Sequence, residues 1–255
     1  MTAPDHLATA DGRRIAYHRT PVRGEGGALP GVVFLGGFAS DMTGTKAMHL
    51  EAWAQHMGRA FLRLDYTGHG ASSGRFDEGT IGGWVRDAED AIAALTDGPQ
   101  ILVGSSMGGW IALLLARRLP ARIAGLVGIA AAPDFTEDGM WAAFSEAERT
   151  RLMREGRLMV PSAYDPAGYV ITLRLIEEGR AHLVLRQPLP LPIPVRLLHG
   201  TADPDVPMAT ALHLLHHAAG PDIRLTLVKG GGHRFSEPAE LAMILQAVEE
   251  VTAAA

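Results

Sequence analysis

The chain has 255 residues, 47% of them hydrophobic, with 28 acidic against 23 basic side chains, a formal charge of −5 and no cysteine. That length buries a sizeable core as one large domain, with room for an inserted subdomain. Without cysteine there are no disulfides, thiolate zinc sites or cysteine nucleophile, and an acidic chain without a basic stripe excludes nucleic acid as the main partner.

At the amino terminus, Met1-Thr2-Ala3-Pro4-Asp5-His6-Leu7 has neither a basic region before an apolar stretch nor the bias of an organelle transit peptide. An untargeted, cytoplasmic protein is therefore expected. Residues 7–10 and 14–18 flank the turn dipeptide Asp11-Gly12, which predicts an antiparallel edge hairpin. Val32-Val33-Phe34-Leu35, wholly apolar and ending at Gly36-Gly37, has the character of a buried parallel strand. A helix over 46–57, a strand over 60–64, the turn-rich loop Asp65-Tyr66-Thr67-Gly68-His69-Gly70 and a helix over 81–95 follow. Strands are predicted at 101–103 and 126–129, with the apolar helix 110–115 between them. Later strands at 195–198 and 223–228 enclose a helix near 208–218, and a helix over 238–252 closes the chain. Such alternation predicts an α/β fold with a mostly parallel central sheet flanked by helices. No apolar run approaches the roughly 20 residues of a membrane-spanning helix, so no integral membrane association is expected.

Residues 134–190 break the alternation. They read as amphipathic helical pieces at 145–158 and 169–178, separated by Pro161, Pro166 and Gly168, and supply no core strand. A segment this long between core strands is expected to be an inserted helical lid, leaving residues 1–133 and 191–255 as the core. The plainer alternative is a pair of packing helices without a part in any site. Met140, Trp141, Phe144, Tyr164 and Tyr169 are candidates to line a substrate pocket, against the ordinary core role of such side chains. Arg149, Arg151, Arg154 and Arg157 are candidates to meet a carboxylate, against a solvated helix face.

The chemistry concentrates at Gly104-Ser105-Ser106-Met107-Gly108, between the strand at 101–103 and the helix that follows. A serine on a strained strand-to-helix turn needs small residues two positions before and after it. Ser106 satisfies that; Ser105 does not, having Val103 and Met107 there. An ordinary tight turn is the alternative in a chain with 30 glycines. A serine hydroxyl needs a base, itself held by a buried acid. Among 11 histidines, His233 in Lys229-Gly230-Gly231-Gly232-His233 follows the last strand, where sites in parallel sheets form. His199 and His69 are the rivals. For the acid, Asp203 is favoured over Asp205, which stands near the helix start at Pro207. Backbone N–H groups of Met107 and of Phe38, in Gly36-Gly37-Phe38, are the expected oxyanion donors, although a double glycine is also a plain turn signal. No cofactor is required and no compact metal-ligand spacing is present.

At these residues the chain resembles the α/β-hydrolase superfamily, and within it the palmitoyl-protein thioesterases of the α/β-hydrolase-domain family, enzymes also described as acyl-glucuronide esterases. The similar stretches are residues 34–47, from Phe34-Leu35-Gly36-Gly37-Phe38; 65–72, Asp65-Tyr66-Thr67-Gly68-His69-Gly70-Ala71-Ser72; 98–110, around the serine; and 193–200, Ile193-Pro194-Val195-Arg196-Leu197-Leu198-His199-Gly200. The resemblance implies an α/β-hydrolase fold, a Ser106, Asp203, His233 triad, and a small acyl ester, thioester or acylated protein as substrate. It weakens over 134–190, and the family's mitochondrial location does not transfer. Sharing every core residue, a carbon-carbon bond hydrolase or a peptidase is the alternative; a non-catalytic binding member is a further one.

Overall fold

The structure, a computed structural model, describes residues 3–162 and 165–255. An edge hairpin of β1 (Asp5–Ala8) and β2 (Arg14–Thr20) leads into β3 (Gly31–Leu35), α1 (Thr45–His56), β4 (Phe61–Leu64), α2 (Ile81–Leu95), β5 (Gln100–Ser105), α3 (Met107–Arg118) and β6 (Ile123–Ile129). Next come a π-type turn, Phe135–Trp141, then α4 (Glu146–Glu155), β7 (Arg157–Val160), β8 (Tyr169–Thr172), α5 (Leu173–Gly179) and the two-residue β9 (Leu189–Pro190). The chain returns through β10 (Val195–Gly200), α6 (Met208–His217), the two-residue β11 (Ala218–Ala219), β12 (Ile223–Val228) and α7 (Pro238–Ala254).

Eight strands form the central sheet in the order β1-β2-β4-β3-β5-β6-β10-β12. The hairpin strands pair antiparallel, and every pairing from β4 to β12 is parallel. Strands covered on both faces read as continuous apolar runs, and β3, β5 and β10 are buried along their whole length. One core lies under α2 and α3, where Ile81, Trp84, Val85, Ala88 and Ile92 recur at helical spacing and meet Leu35, Leu102 and Trp110. On the opposite face, Leu241, Ile244, Val248 and Val251 of α7 pack with Ala47 and Leu50 of α1 over Ile101, Val103 and Val127. Parallel order with helices on both faces brings the carboxyl ends of β3, β5, β10 and β12 to one edge, where open sheets form their sites.

The segment between β6 and β10 departs from the expected helical pieces. The predicted helix over 145–158 starts with a Ser145–Glu148 capping box and stops at Glu155, because Gly156 takes φ +72°, a left-handed C-cap that glycine adopts freely. Residues 157–160 then run as β7. The predicted helix over 169–178 opens instead as β8, whose Val170-Ile171-Thr172 is rich in β-branched side chains, and only α5 is helical. β7 and β8 pair antiparallel, with Leu158 opposite Ile171 and both buried. The segment is therefore a ribbon flanked by helices and adds no strand to the central sheet. Its two ends are joined by Asp134, whose buried carboxylate accepts N–H from Val184 at 2.8 Å and Leu185 at 3.0 Å and meets Arg186 at 3.2 Å.

Candidate active site

β5 ends at Ser105 and α3 begins at Met107, so Ser106 occupies the junction, at φ 54° and ψ −118°. A non-glycine residue there is strained by about 1–3 kcal/mol and persists only where its surroundings hold it. Ser106 N–H donates to Ile129 O at 2.9 Å, and Ser106 O accepts from Gly109 and Ala132 N–H at 2.9 and 3.1 Å. The glycine requirement is steric: a Cβ on Gly104 would overlap the Gly108 carbonyl, and one on Gly108 would overlap the Leu35 carbonyl.

Asp203 follows β10 and His233 follows β12. His233 Nδ1 stands 2.9 Å from Asp203 Oδ2, while Asp203 Oδ1 accepts the N–H groups of Asp205 and Val206, each at 2.9 Å. Of the two competing aspartates, Asp203 is the one paired with the imidazole. Its side chain is fully buried. Burial alone would push that carboxyl up, but the hydrogen bonds from His233 and the two amides prevail and hold its pKa below the ordinary value. The carboxylate accepts a hydrogen bond from Nδ1–H, which keeps the proton on Nδ1 and leaves Nε2 with its lone pair free to act as a base. Asp203, Asp205 and His233 are also close enough to share a cation, yet both Asp203 oxygens already accept hydrogen bonds. His199 is buried beside this loop, its Nε2 3.0 Å from Val206 O.

Ser106 and His233 line one cavity of about 470 Å³, together with Gly37, Phe38, Lys46 and Tyr169. Among the described residues no hydrogen bond joins Ser106 Oγ to His233; such bonds are often long before substrate arrives. A Cβ on Gly37 would lie 3.4 Å from Ser106 Cβ, so the Gly36-Gly37-Phe38 loop runs against the serine. Met107 N–H, at the first position of α3, has no intrahelical acceptor. Among the described residues neither it nor Phe38 N–H donates a hydrogen bond to another protein group. A neighbouring cavity of about 580 Å³ is larger but excludes Ser106 and His233; the two meet along Ala39, Ser40, Asp41, Asp165 and Tyr169.

The family model described as "Alpha/beta hydrolase family" matches residues 32–244. The chain belongs to the alpha/beta hydrolase family. Palmitoyl-protein thioesterase ABHD10, mitochondrial, of Mus musculus is 37% identical to this hydrolase over 226 residues, 88% of this chain and 76% of the relative. The same enzyme of Bos taurus is 34% identical over 254 residues, 98% and 80% of the two chains. Among solved structures, a protein of Agrobacterium vitis S4 superposes with a TM-score of 0.91 at 39% identity, covering 98% of both chains. The mouse alpha/beta hydrolase domain-containing protein 10 does so with a TM-score of 0.88 at 33% identity, again over 98% of both. Among the described residues, no helix of the hydrolase is long and apolar enough to cross a membrane.

Of the five side chains proposed to line a substrate pocket, Tyr169 borders both of these neighbouring cavities. Phe144 lies instead in the hydrophobic core, and Met140 packs against it. Trp141 carries the guanidinium groups of Arg149 and Arg180 at 5.4 and 4.9 Å from its ring centre. Tyr164 falls outside the described residues. Arg151 and Arg154 pair with Glu155 on an exposed helix face, the solvated alternative. Sequence reasoning missed two features. Phe38 meets Phe76, Phe135 and Tyr169 edge-on at 4.9, 5.7 and 5.8 Å, joining segments with no shared sequence pattern. Lys46 borders the cavity and its ammonium donates to Arg234 O, next to His233. Burial pushes the Lys46 pKa down to about 8.

Proposed function

We propose that this hydrolase cleaves acyl esters or thioesters through an acyl-enzyme formed on Ser106. Ser106 Oγ attacks the acyl carbonyl as His233 Nε2 takes its proton, and Asp203 holds the ring and steadies the imidazolium. The carbonyl electrons move onto oxygen, which Phe38 and Met107 N–H stabilise. Collapse expels the alcohol or thiol, which receives the proton from His233. Water, deprotonated by the same imidazole, then attacks the acyl-enzyme, and the acid leaves with Ser106 restored. The observation that carries this reading is the 2.9 Å His233–Asp203 pair opening onto the same cavity as the strained serine. The thioesterase activity in the name of the ABHD10 relatives supports the thioester arm. The segment over 134–190 acts as a lid, with Tyr169 as its reach into the site.

A fluorophosphonate probe is expected to label the wild type and not Ser106→Ala. Equal labelling of both would remove the nucleophile. A panel of acyl thioesters, aryl esters, acyl glucuronides and peptides then ranks leaving groups, and turnover confined to peptides would overturn the ester reading.

A further inference from the structure

Three side chains of the loop after β4 grip the loop that carries Phe38. Asp65 Oδ1 accepts Met42 N–H at 2.7 Å, Tyr66 OH donates to Gly36 O at 3.3 Å, and His69 Nε2 accepts Ala39 N–H at 3.2 Å. Ser40 completes the bracket, its hydroxyl donating to Gly37 O at 2.8 Å. The Gly37–Phe38 peptide, which bears the Phe38 N–H, is therefore held at its own carbonyl and lies between two further anchored peptides.

Of these anchors, His69 bears the most strained point. Ala39 sits at φ +55°, in the left-handed region that alanine avoids, and its N–H is the group that His69 accepts. The imidazole is 3% exposed and wedged between Phe76 and Trp84, each 5.2 Å from its ring centre. Its Nδ1 faces Thr67 O at 3.4 Å, which puts the proton on Nδ1 and turns the Nε2 lone pair to Ala39. Burial pushes its pKa down to about 4, so it is a neutral acceptor near pH 7.

We infer that His69 is a positioning residue for the oxyanion: by pinning the Phe38–Ala39 peptide it keeps Phe38 N–H aimed where charge forms on the substrate. This rests on the serine-hydrolase reading above. Deleting a whole oxyanion donor costs about 10²–10³ in kcat, so releasing its aim is expected to cost about 10–100-fold. Since the oxyanion exists only along the reaction path, the loss falls on kcat and leaves KM nearly unchanged.

His69→Phe keeps an aromatic ring against Phe76 and Trp84 and removes the acceptor; His69→Gln offers a carbonyl acceptor in its place. The readouts are kcat and KM on a p-nitrophenyl ester, and affinities for a boronic acid, which forms a tetrahedral adduct on serine, and for the carboxylate product. H69F is expected to lower kcat and boronate affinity together by about 10–100-fold, with KM and carboxylate affinity within about twofold, and H69Q to recover part of the loss. A boronate-to-carboxylate affinity ratio in H69F equal to wild type would overturn the inference. So would a lost ratio that H69Q does not improve, which assigns the loss to ring packing. The ratio does not depend on how much enzyme is folded, so a destabilised variant still decides. Wild-type protein that neither turns over esters nor binds the boronate would fail the serine-hydrolase reading itself, before any variant is made.

Discussion

Asp203 divides its carboxylate, giving one oxygen to the Nδ1 of His233 at 2.9 Å and the other to two backbone amides of its own loop. Asp203→Asn keeps an acceptor for the amides but presents an N–H₂ or a neutral oxygen to the ring, losing the negative partner that selects the tautomer. The expected result is a fold within about 1 kcal/mol of wild type and a kcat lower by about 10³–10⁴. Asp205→Asn is expected to change kcat by less than about twofold. Steady-state kinetics on both variants checks this, and equal losses would remove the preference for Asp203 over Asp205.

Acid should weaken the fold through His69. Its folded pKa lies near 4 against an ordinary 6.5, so below pH 6.5 the unfolded chain binds a proton that the folded one refuses. Stability from this group is thus complete above pH 6.5 and falls as the pH drops toward 4, by about 3 kcal/mol in all. The lowered His18 and His199 act in the same direction, while burial raises the carboxyls of Asp65, Asp87 and Asp134. Those groups are common to wild type and H69F. Melting temperatures of the two proteins from pH 7 to 4 should therefore converge as acid is added, and parallel curves would show that His69 is not held neutral.

How far the sequence reached depends on how local each signal is. The parallel strands are legible because a strand buried on both faces must be apolar throughout, and the turn at Ser106 because its two glycines form a local pattern, although only Gly104 is demanded by atoms within that turn and Gly108 by the remote carbonyls of Leu35 and Gly36. Gly156 is an equally local signal, yet the predicted helix over 145–158 runs past it to the helix-forming Leu158. Ile171 shows the other limit: it belongs to a strand only because Leu158 lies across from it. His69 lies upstream of the serine, outside the expected chain order; its contact with Ala39 arises only when β4 and β3 lie side by side.

The clasp at Asp134 sets how firmly residues 134–190 are tied to the sheet. Asp134→Ala leaves the buried amides of Val184 and Leu185 without their acceptor, an expected cost of about 2–4 kcal/mol. Limited proteolysis should then cut within 134–190 sooner than in wild type while the remaining core resists. If Tyr169 on that segment meets substrate, the same variant should also flatten the preference among ester chain lengths. Unchanged cleavage sites and rates would show that the segment is held by its packing alone.

Two glycines near the serine separate folding from chemistry. A methyl on Gly108 would overlap the backbone carbonyls of Leu35 and Gly36, which no rotamer relieves, so α3 must move away from β3. Gly108→Ala is expected to cost more than about 3 kcal/mol, lowering Tm by about 10 °C, and to inactivate through the fold. Gly37 has no positive φ, and its added methyl would meet Ser106 Cβ at an ordinary 3.4 Å, so Gly37→Ala should melt within a few degrees of wild type. Yet that methyl enters the cavity beside Ser106, and kcat/KM should fall by about tenfold or more because a small displacement at the proposed reacting atoms is costly. Calorimetry and turnover measured together on each variant check the contrast. A Gly37→Ala enzyme with wild-type turnover would mean that substrate does not approach Ser106 from the Phe38 side, and the oxyanion would then need a donor other than Phe38.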